Sequence, residues 1–254
     1  MNRERIDVCG VLFDCVTKKE ALARLETALD GAGQIALVTA NPEIVLNCER
    51  EPEMYALINA CELVVADGMG VIRAAKILHT PLPERIPGIE LGEELLAYCS
   101  GSGCSVFFLG GKPGVADAAA EKMKEKYPAL IVAGVHDGYF DTVGEENAQV
   151  VTQIAESGAG LVLVCLGSPK QEKWIAANRH LLPRVGVFAG LGGSLDIFSG
   201  RSRRAPAFFR RTGLEWFYRL CREPSRFSRM VRIPLLFVRA RAYRRKKKKH
   251  QSVG

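Results

Sequence analysis

Ser105-Val-Phe-Phe-Leu109, followed by Gly110-Gly-Lys-Pro-Gly114 and then by a helical pattern from Val115, decides the fold. Four consecutive apolar residues behind Ser105 describe a strand covered on both faces rather than one with a side in water. Glycines directly after it allow a tight turn, and a helix opens within five residues. Outward from this unit the same grammar recurs. Apolar runs occur at Val8–Phe13, Ile35–Ala40, Leu63–Ala66, Leu130–Val135, Leu161–Leu166 and Val185–Ala189. Helix signals lie between them. Thr17-Lys-Lys-Glu20 is a capping box, Asn41-Pro42 sets a good N-cap before Pro at the first helical position, and Ser168-Pro-Lys-Gln171 repeats that grammar. Strands alternating with helices predict an α/β fold, a doubly wound and largely parallel Rossmann-like sheet.

The pattern changes near residue 200. Residues 201–254 read as basic helical segments, Pro206–Cys221, Pro224–Val231, Ile233–Tyr243 interrupted by Pro234, and Arg244–Lys249. The expected organisation is therefore an α/β body over 1–200 and a basic helical C-terminal appendage and tail over 201–254. Charge divides at the same place. Of 35 Lys and Arg and 28 acids in the chain, residues 201–254 hold 18 and 2, leaving 17 and 26 in residues 1–200. The body is thus about −9 and the appendage about +16, which gives the tail an anionic partner.

Several classes are set aside by what the 254 residues lack. The opening MNRERIDVCG carries charges and no long apolar run, so no signal peptide is expected. No apolar stretch reaches about 20 residues, so no spanning helix is expected. Eight scattered cysteines without a Cys-x-x-Cys pair read as small apolar residues in a reducing compartment. His79, His136, His180 and His250 form no metal-ligand spacing, there is no Gly-x-Ser-x-Gly elbow, and no Asp-x-Asp pair is present to hold a divalent ion.

In open parallel sheets, ligands bind beyond the carboxyl ends of the strands. That rule selects Thr39, Asn41, Asp67, Gly110–Gly114, Asp137, Gly167–Gln171 and Gly190–Gly193. Asp67, ahead of Gly68-Met-Gly70, is placed to take a proton from a hydroxyl as a general base, or simply to cap the next helix. Thr39 and Asn41 could bond a substrate, although Asn41 is also explained as the N-cap before Pro42. Gly110 and Gly111 open either a phosphate cradle or a tight strand–helix turn; no Walker A pattern is present. Gln171 reads as a nucleotide contact or as the third residue of a capping box.

The succession Thr39-Ala-Asn-Pro-Glu43, Ala66-Asp-Gly-Met-Gly70, Arg85-Ile-Pro-Gly88, Phe107-Phe-Leu-Gly-Gly111, Gly167-Ser-Pro-Lys-Gln-Glu172 and Gly190-Leu-Gly-Gly-Ser-Leu-Asp196 goes further. With Arg204-Ala-Pro206, Leu214-Glu-Trp-Phe-Tyr-Arg-Leu220 and Glu223-Pro224, it resembles the WecG/TagA/CpsF glycosyltransferase family over about residues 6–235. It departs from the family in Pro87, where members often carry Thr. The resemblance implies an inverting, metal-independent transfer from a UDP-sugar donor to a polyprenyl-diphosphate-linked sugar acceptor, with no cofactor. Its best-known members move N-acetylmannosamine onto undecaprenyl-diphosphate-linked N-acetylglucosamine in wall teichoic acid synthesis. It further implies Asp67 as base, Thr39 as a second active-site residue, Gln171 on the substrate, and Arg219, Arg226 and Arg229 at the substrate diphosphate. Arg85 is a further candidate for the departing diphosphate, since a guanidinium binds phosphate oxygens in pairs.

The basic tail, ending in Arg244-Arg-Lys-Lys-Lys-Lys249, then suits an anionic membrane surface, with the protein cytoplasmic and peripheral on the inner face. A tail with aromatic residues also suits nucleic acid, but the body is acidic and no nucleic-acid signature occurs, so no nucleic-acid partner is expected. Other UDP-hexoses are alternative donors, and the sequence leaves a homo-oligomer open.

Overall fold

The computed structural model describes residues 4–206, 208–209, 218 and 233–251. Its centre is a six-stranded, all-parallel sheet made of β3 (Ile35–Ala40), β4 (Leu63–Ala66), β5 (Val106–Gly110), β6 (Val132–His136), β7 (Leu161–Cys165) and β8 (Val187–Gly190). Across the sheet the order is β4-β3-β8-β7-β5-β6. The chain steps from β3 to one edge, restarts at β5 towards the other, and returns through β7 to β8, which lies beside β3. First and last strands thus meet in the interior, and the ends of β3, β7 and β8 open onto common ground.

Successive strand residues serve different cores. Leu37, Leu63, Val65, Phe108, Leu163 and Ala189 pack with the helices α1 (Lys18–Leu29), α5 (Gly88–Ser102), α6 (Val115–Lys126) and α9 (Ser194–Phe198). Their neighbours face the other way. Val38, Ala40, Val64 and Ala66 pack with α2 (Pro42–Cys48), α3 (Glu53–Ala60) and α4 (Met69–Ile77). Phe107, Val162, Val164 and Phe188 pack with α7 (Glu145–Ser157) and α8 (Lys170–Asn178). Both faces are covered, which is why the runs are apolar throughout rather than alternating. Two local expectations hold in detail. The capping box at Thr17 is complete, and Asn41 Oδ1 accepts the Ile44 amide at 3.0 Å, with Pro42 opening α2.

Two other expectations are corrected. Val8–Phe13 is not one strand of the main sheet but part of a hairpin, β1 (Arg5–Val8) and β2 (Val11–Asp14), paired antiparallel on their own. The turn is Cys9-Gly10, both at positive φ (55° and 91°), with Asp7 Oδ1 accepting the Gly10 amide. Cysteine in that conformation is uncommon, so the composition gives little warning of the turn. The tail is corrected as well. Ile233–Tyr243 and Arg244–Lys249 are one helix, α10 (Ile233–Gln251), and Pro234 falls in its first turn, where a missing N–H costs nothing. Leu236 and Ala240 are fully buried against α2 and α4. Tyr243 donates its hydroxyl to Asp7 Oδ2 at 2.8 Å, and Arg239 pairs with Glu49 at 3.4 Å. The segments Pro206–Cys221 and Pro224–Val231 fall almost wholly outside the described residues.

Candidate active site

Above the ends of β3, β4, β7 and β8 lies a cleft of about 330 Å³. Thr39, Asn41, Asp67, Gly167, Ser168, Gln171 and the Leu191–Ser194 turn line it, with Glu43, Pro87 and Asp196 at its sides. Five strand ends or helix starts, separated by as many as 150 residues, converge here because the topology returns β8 to the side of β3.

Asp67 follows β4 and is tied at both levels of its structure. Its amide donates to Ala40 O at 2.9 Å, extending the β3–β4 ladder by one bond. Its carboxylate Oδ2 accepts the Gly88 amide at 3.3 Å, from the first residue of α5. Pro87, immediately before, supplies no side-chain cap, so Asp67 satisfies this orphan amide of the helix. The half-buried carboxylate therefore sits at the N-terminus of α5, facing the cleft.

Thr39 is buried and donates its hydroxyl to Gly190 O at 2.9 Å, joining the ends of β3 and β8. Gly88 packs directly on it. A Cβ at Gly88 would stand 2.8 Å from Thr39 Oγ1, so glycine is required for α5 to approach. Asn41 both caps α2 and lines the cleft, so the two roles read from the sequence coincide.

Gln171 does not act as the third residue of a capping box. Ser168 gives no cap, the Ser168–Pro169 peptide is cis, and α8 begins at Lys170. The Gln171 side chain instead crosses to the β8 turn, where Oε1 accepts the Gly192 amide at 3.0 Å, while Nε2 donates to Glu172 Oε1 at 2.9 Å. Both residues are buried, 3 % and 4 % exposed. Burial pushes the Glu172 carboxyl above the usual carboxylate range, against the pull of the Gln171 amide.

Gly110 and Gly111 stand one strand further along and do not line this cleft. A Cβ on Gly110 would lie 2.3 Å from Cys165 O, and the Gly111 amide is spent on that same carbonyl at 3.3 Å. Packing on the end of β7 gives Gly110 a local reason, and Gly111 packs on Val115 at the start of α6, where a Cβ would lie 2.8 Å from Cγ1. Arg85 lies two residues before Pro87, half-buried, close enough to Glu90 to help hold that carboxylate down. Arg219, Arg226 and Arg229 lie outside the described residues. Three contributors escape a reading of the sequence by strand ends, Gly88, Glu172 and Asp196. Gly88 and Glu172 act through a backbone amide and a buried carboxyl, and Asp196 lies on α9 past its turn. Only the family-like strings contain all three.

The whole chain compares closely with known proteins. The model of the glycosyl transferase WecG/TagA/CpsF family matches residues 6–250. An N-acetylglucosaminyldiphosphoundecaprenol N-acetyl-beta-D-mannosaminyltransferase of Staphylococcus aureus is 36 % identical over 250 residues, covering 98 % of this chain and 96 % of the relative. A protein of the same name from Bacillus spizizenii is 39 % identical over 214 residues, 84 % of this chain and 81 % of the relative. The cleft described above, built from the same strings that carry the resemblance, belongs to a member of the WecG/TagA/CpsF glycosyltransferase family.

Proposed function

We propose that the protein transfers N-acetylmannosamine from UDP-N-acetylmannosamine to undecaprenyl-diphosphate-linked N-acetylglucosamine, by a single inverting displacement in this cleft. The observation that carries the reading is the Asp67 carboxylate, held at the cleft by the first amide of α5. The names of relatives aligned over 84–98 % of the chain support the acceptor and the transferred sugar. Asp67 takes the proton of the acceptor hydroxyl as that oxygen attacks the anomeric carbon opposite the UDP. Negative charge grows on the departing diphosphate, and donors fixed in advance stabilise it most effectively. Arg85, Arg219, Arg226 and Arg229 are the cations proposed for that task, without a bound metal ion or cofactor.

The lipid acceptor brings the reaction to a bilayer. Along the outer side of α10, Leu235 and Val238 are exposed beside Arg239, Arg241, Arg245 and Lys246. No helix among the described residues is long and apolar enough to cross a membrane. Peripheral binding to an anionic cytoplasmic leaflet fits such a surface, each cation near it contributing about 1 kcal/mol.

A UDP-release screen across UDP-sugars, with a short-chain lipid-diphosphate N-acetylglucosamine acceptor, tests the assignment. Release with UDP-N-acetylmannosamine and dependence on the lipid acceptor are expected, unchanged by EDTA. Preference for another UDP-hexose would replace the donor. Asp67→Asn lowers turnover at least about 100-fold, the usual worth of a general base, while isothermal titration shows UDP binding preserved. Wild-type turnover in that variant would remove Asp67 from the role.

A further inference from the structure

Glu172 is a buried carboxyl with no cation to pair with among the described residues. Its Oε1 accepts Gln171 Nε2, and its buried Oε2 has the Ser168 hydroxyl nearby but no hydrogen bond of good geometry. The groups that face it from α2 and from the end of α3 are the thiols of Cys48 and Cys61, each pushed up to about 12, chiefly by burial, and thus neutral. The cations of this region are engaged elsewhere, Lys173 with Glu51 and Glu53, and Arg179 with Glu62. A carboxylate buried alone is expensive, and taking up a proton is the cheaper state. Such a group is not explained by packing, since an apolar side chain would fill the same space without that cost.

What it touches gives the explanation. Gln171 has two amide hydrogens and a carbonyl oxygen. The oxygen holds the Gly192 amide, and one hydrogen goes to Glu172. Gly190 lies against the same nitrogen, where a Cβ would come within 3.1 Å of Nε2. One hydrogen is left for the cleft that Gln171 lines. Rotating the amide by half a turn would set its NH₂ against the Gly192 N–H and turn an acceptor to the ligand. We propose that Glu172 is a positioning residue, which together with the donor-only Gly192 N–H fixes the face of the Gln171 amide so that an N–H, and not a carbonyl, meets an oxygen of the sugar nucleotide. The glycine turn after β8 is locked by the same chain of bonds, Glu172 to Gln171 to Gly192. This inference rests on the reading that the cleft takes a UDP-sugar.

The test is a double-mutant cycle on donor KM and kcat with the full chain, using Gln171→Ala, Glu172→Ala, the double variant and Glu172→Gln. Each single alanine variant raises donor KM about tenfold, the effect of one lost or unsatisfied hydrogen bond. The double variant is no worse than Gln171→Ala, and Glu172→Gln, which keeps an acceptor of the same shape, stays within about twofold of wild type. If Glu172→Ala does not fold, Glu172→Met, similar in length but without an acceptor, takes its place. Effects that multiply in the double variant overturn the inference, as does a folded Glu172→Gln that is as weak as Glu172→Ala. A Gln171→Ala variant with unchanged donor KM and unchanged UDP affinity removes Gln171 from the substrate site altogether, and the inference with it. The first two results leave the UDP-sugar reading standing; the last one strikes at that reading of the cleft.

Discussion

At Gly88 a single methyl group would meet Thr39 at 2.8 Å, and the same residue's amide holds Asp67. Gly88→Ala is therefore expected to push α5 off β3 and lengthen the amide–carboxylate bond. Overpacking of this kind costs about 1–3 kcal/mol, visible as a lower melting temperature, and transfer should fall at least about tenfold, as displaced catalytic groups lose orientation. Glu172 gives a prediction of the opposite character. Its folded-state carboxyl titrates above its unfolded one, so the folded protein holds a proton that the unfolded chain releases. Its contribution to stability is whole below the unfolded value of 4.5 and is lost as pH rises through the folded value. Urea unfolding of Glu172→Gln against wild type should show the variant gaining relative stability from pH 4.5 upward. Residue roles were legible where local grammar is the whole cause, as at Thr17 and Asn41. At Gln171, of the two roles read, the local cap is outweighed by tertiary partners, and at Gly110 a neighbouring strand supplies a packing reason that the sequence does not display.

Among the elements, α5 is tied to the start of the appendage. Arg204 pairs with Glu90 in the first turn of α5, and although burial works against it, that guanidinium holds the Glu90 carboxyl below its usual range. A depressed carboxyl contributes stability above its unfolded value and loses it as pH falls through the folded one. Glu90→Gln should therefore speed tryptic cleavage at Arg201, Arg203 and Arg204 several-fold near pH 7, and in urea unfolding its loss of stability relative to wild type should shrink as pH falls below 4.5. The helix α10 gives a second test. Truncating the fully buried Leu236 to Ala removes contacts worth about 2–5 kcal/mol, so amide exchange in α10 should accelerate while β5 and β7 stay protected. At this scale the six sheet strands were readable because burial on both faces leaves no polar interruptions. The β1–β2 hairpin and the continuity of α10 were not. One depends on a cysteine at positive φ, the other on a proline whose position within a turn decides whether it breaks a helix.

At the scale of the molecule, an acidic body carries a basic helix on its flank, and the net charge of +7 conceals the division. Replacing the exposed Arg241, Arg245 and Lys246 of α10 by Gln should sharply weaken co-sedimentation with vesicles containing anionic lipid while leaving the buried side of the helix intact. Raising salt from about 0.1 M to 1 M should weaken binding of the full chain, as the screening length contracts from about 10 Å to 3 Å. Undiminished binding to vesicles after these substitutions, or a gel shift with nucleic acid in place of vesicle binding, would assign the tail another partner.

The docking of α10 also has a consequence in time. The groove that Leu236 and Ala240 fill is made by α2, α4 and the hairpin, all within the first 80 residues, while its cover lies more than 150 residues later. At a synthesis rate of about 5–20 residues per second, the ribosome leaves that groove open for roughly 8 to 35 seconds. During that interval an apolar trough faces whatever else is nascent nearby, and a message truncated before codon 233 yields a polypeptide in which that trough stays uncovered.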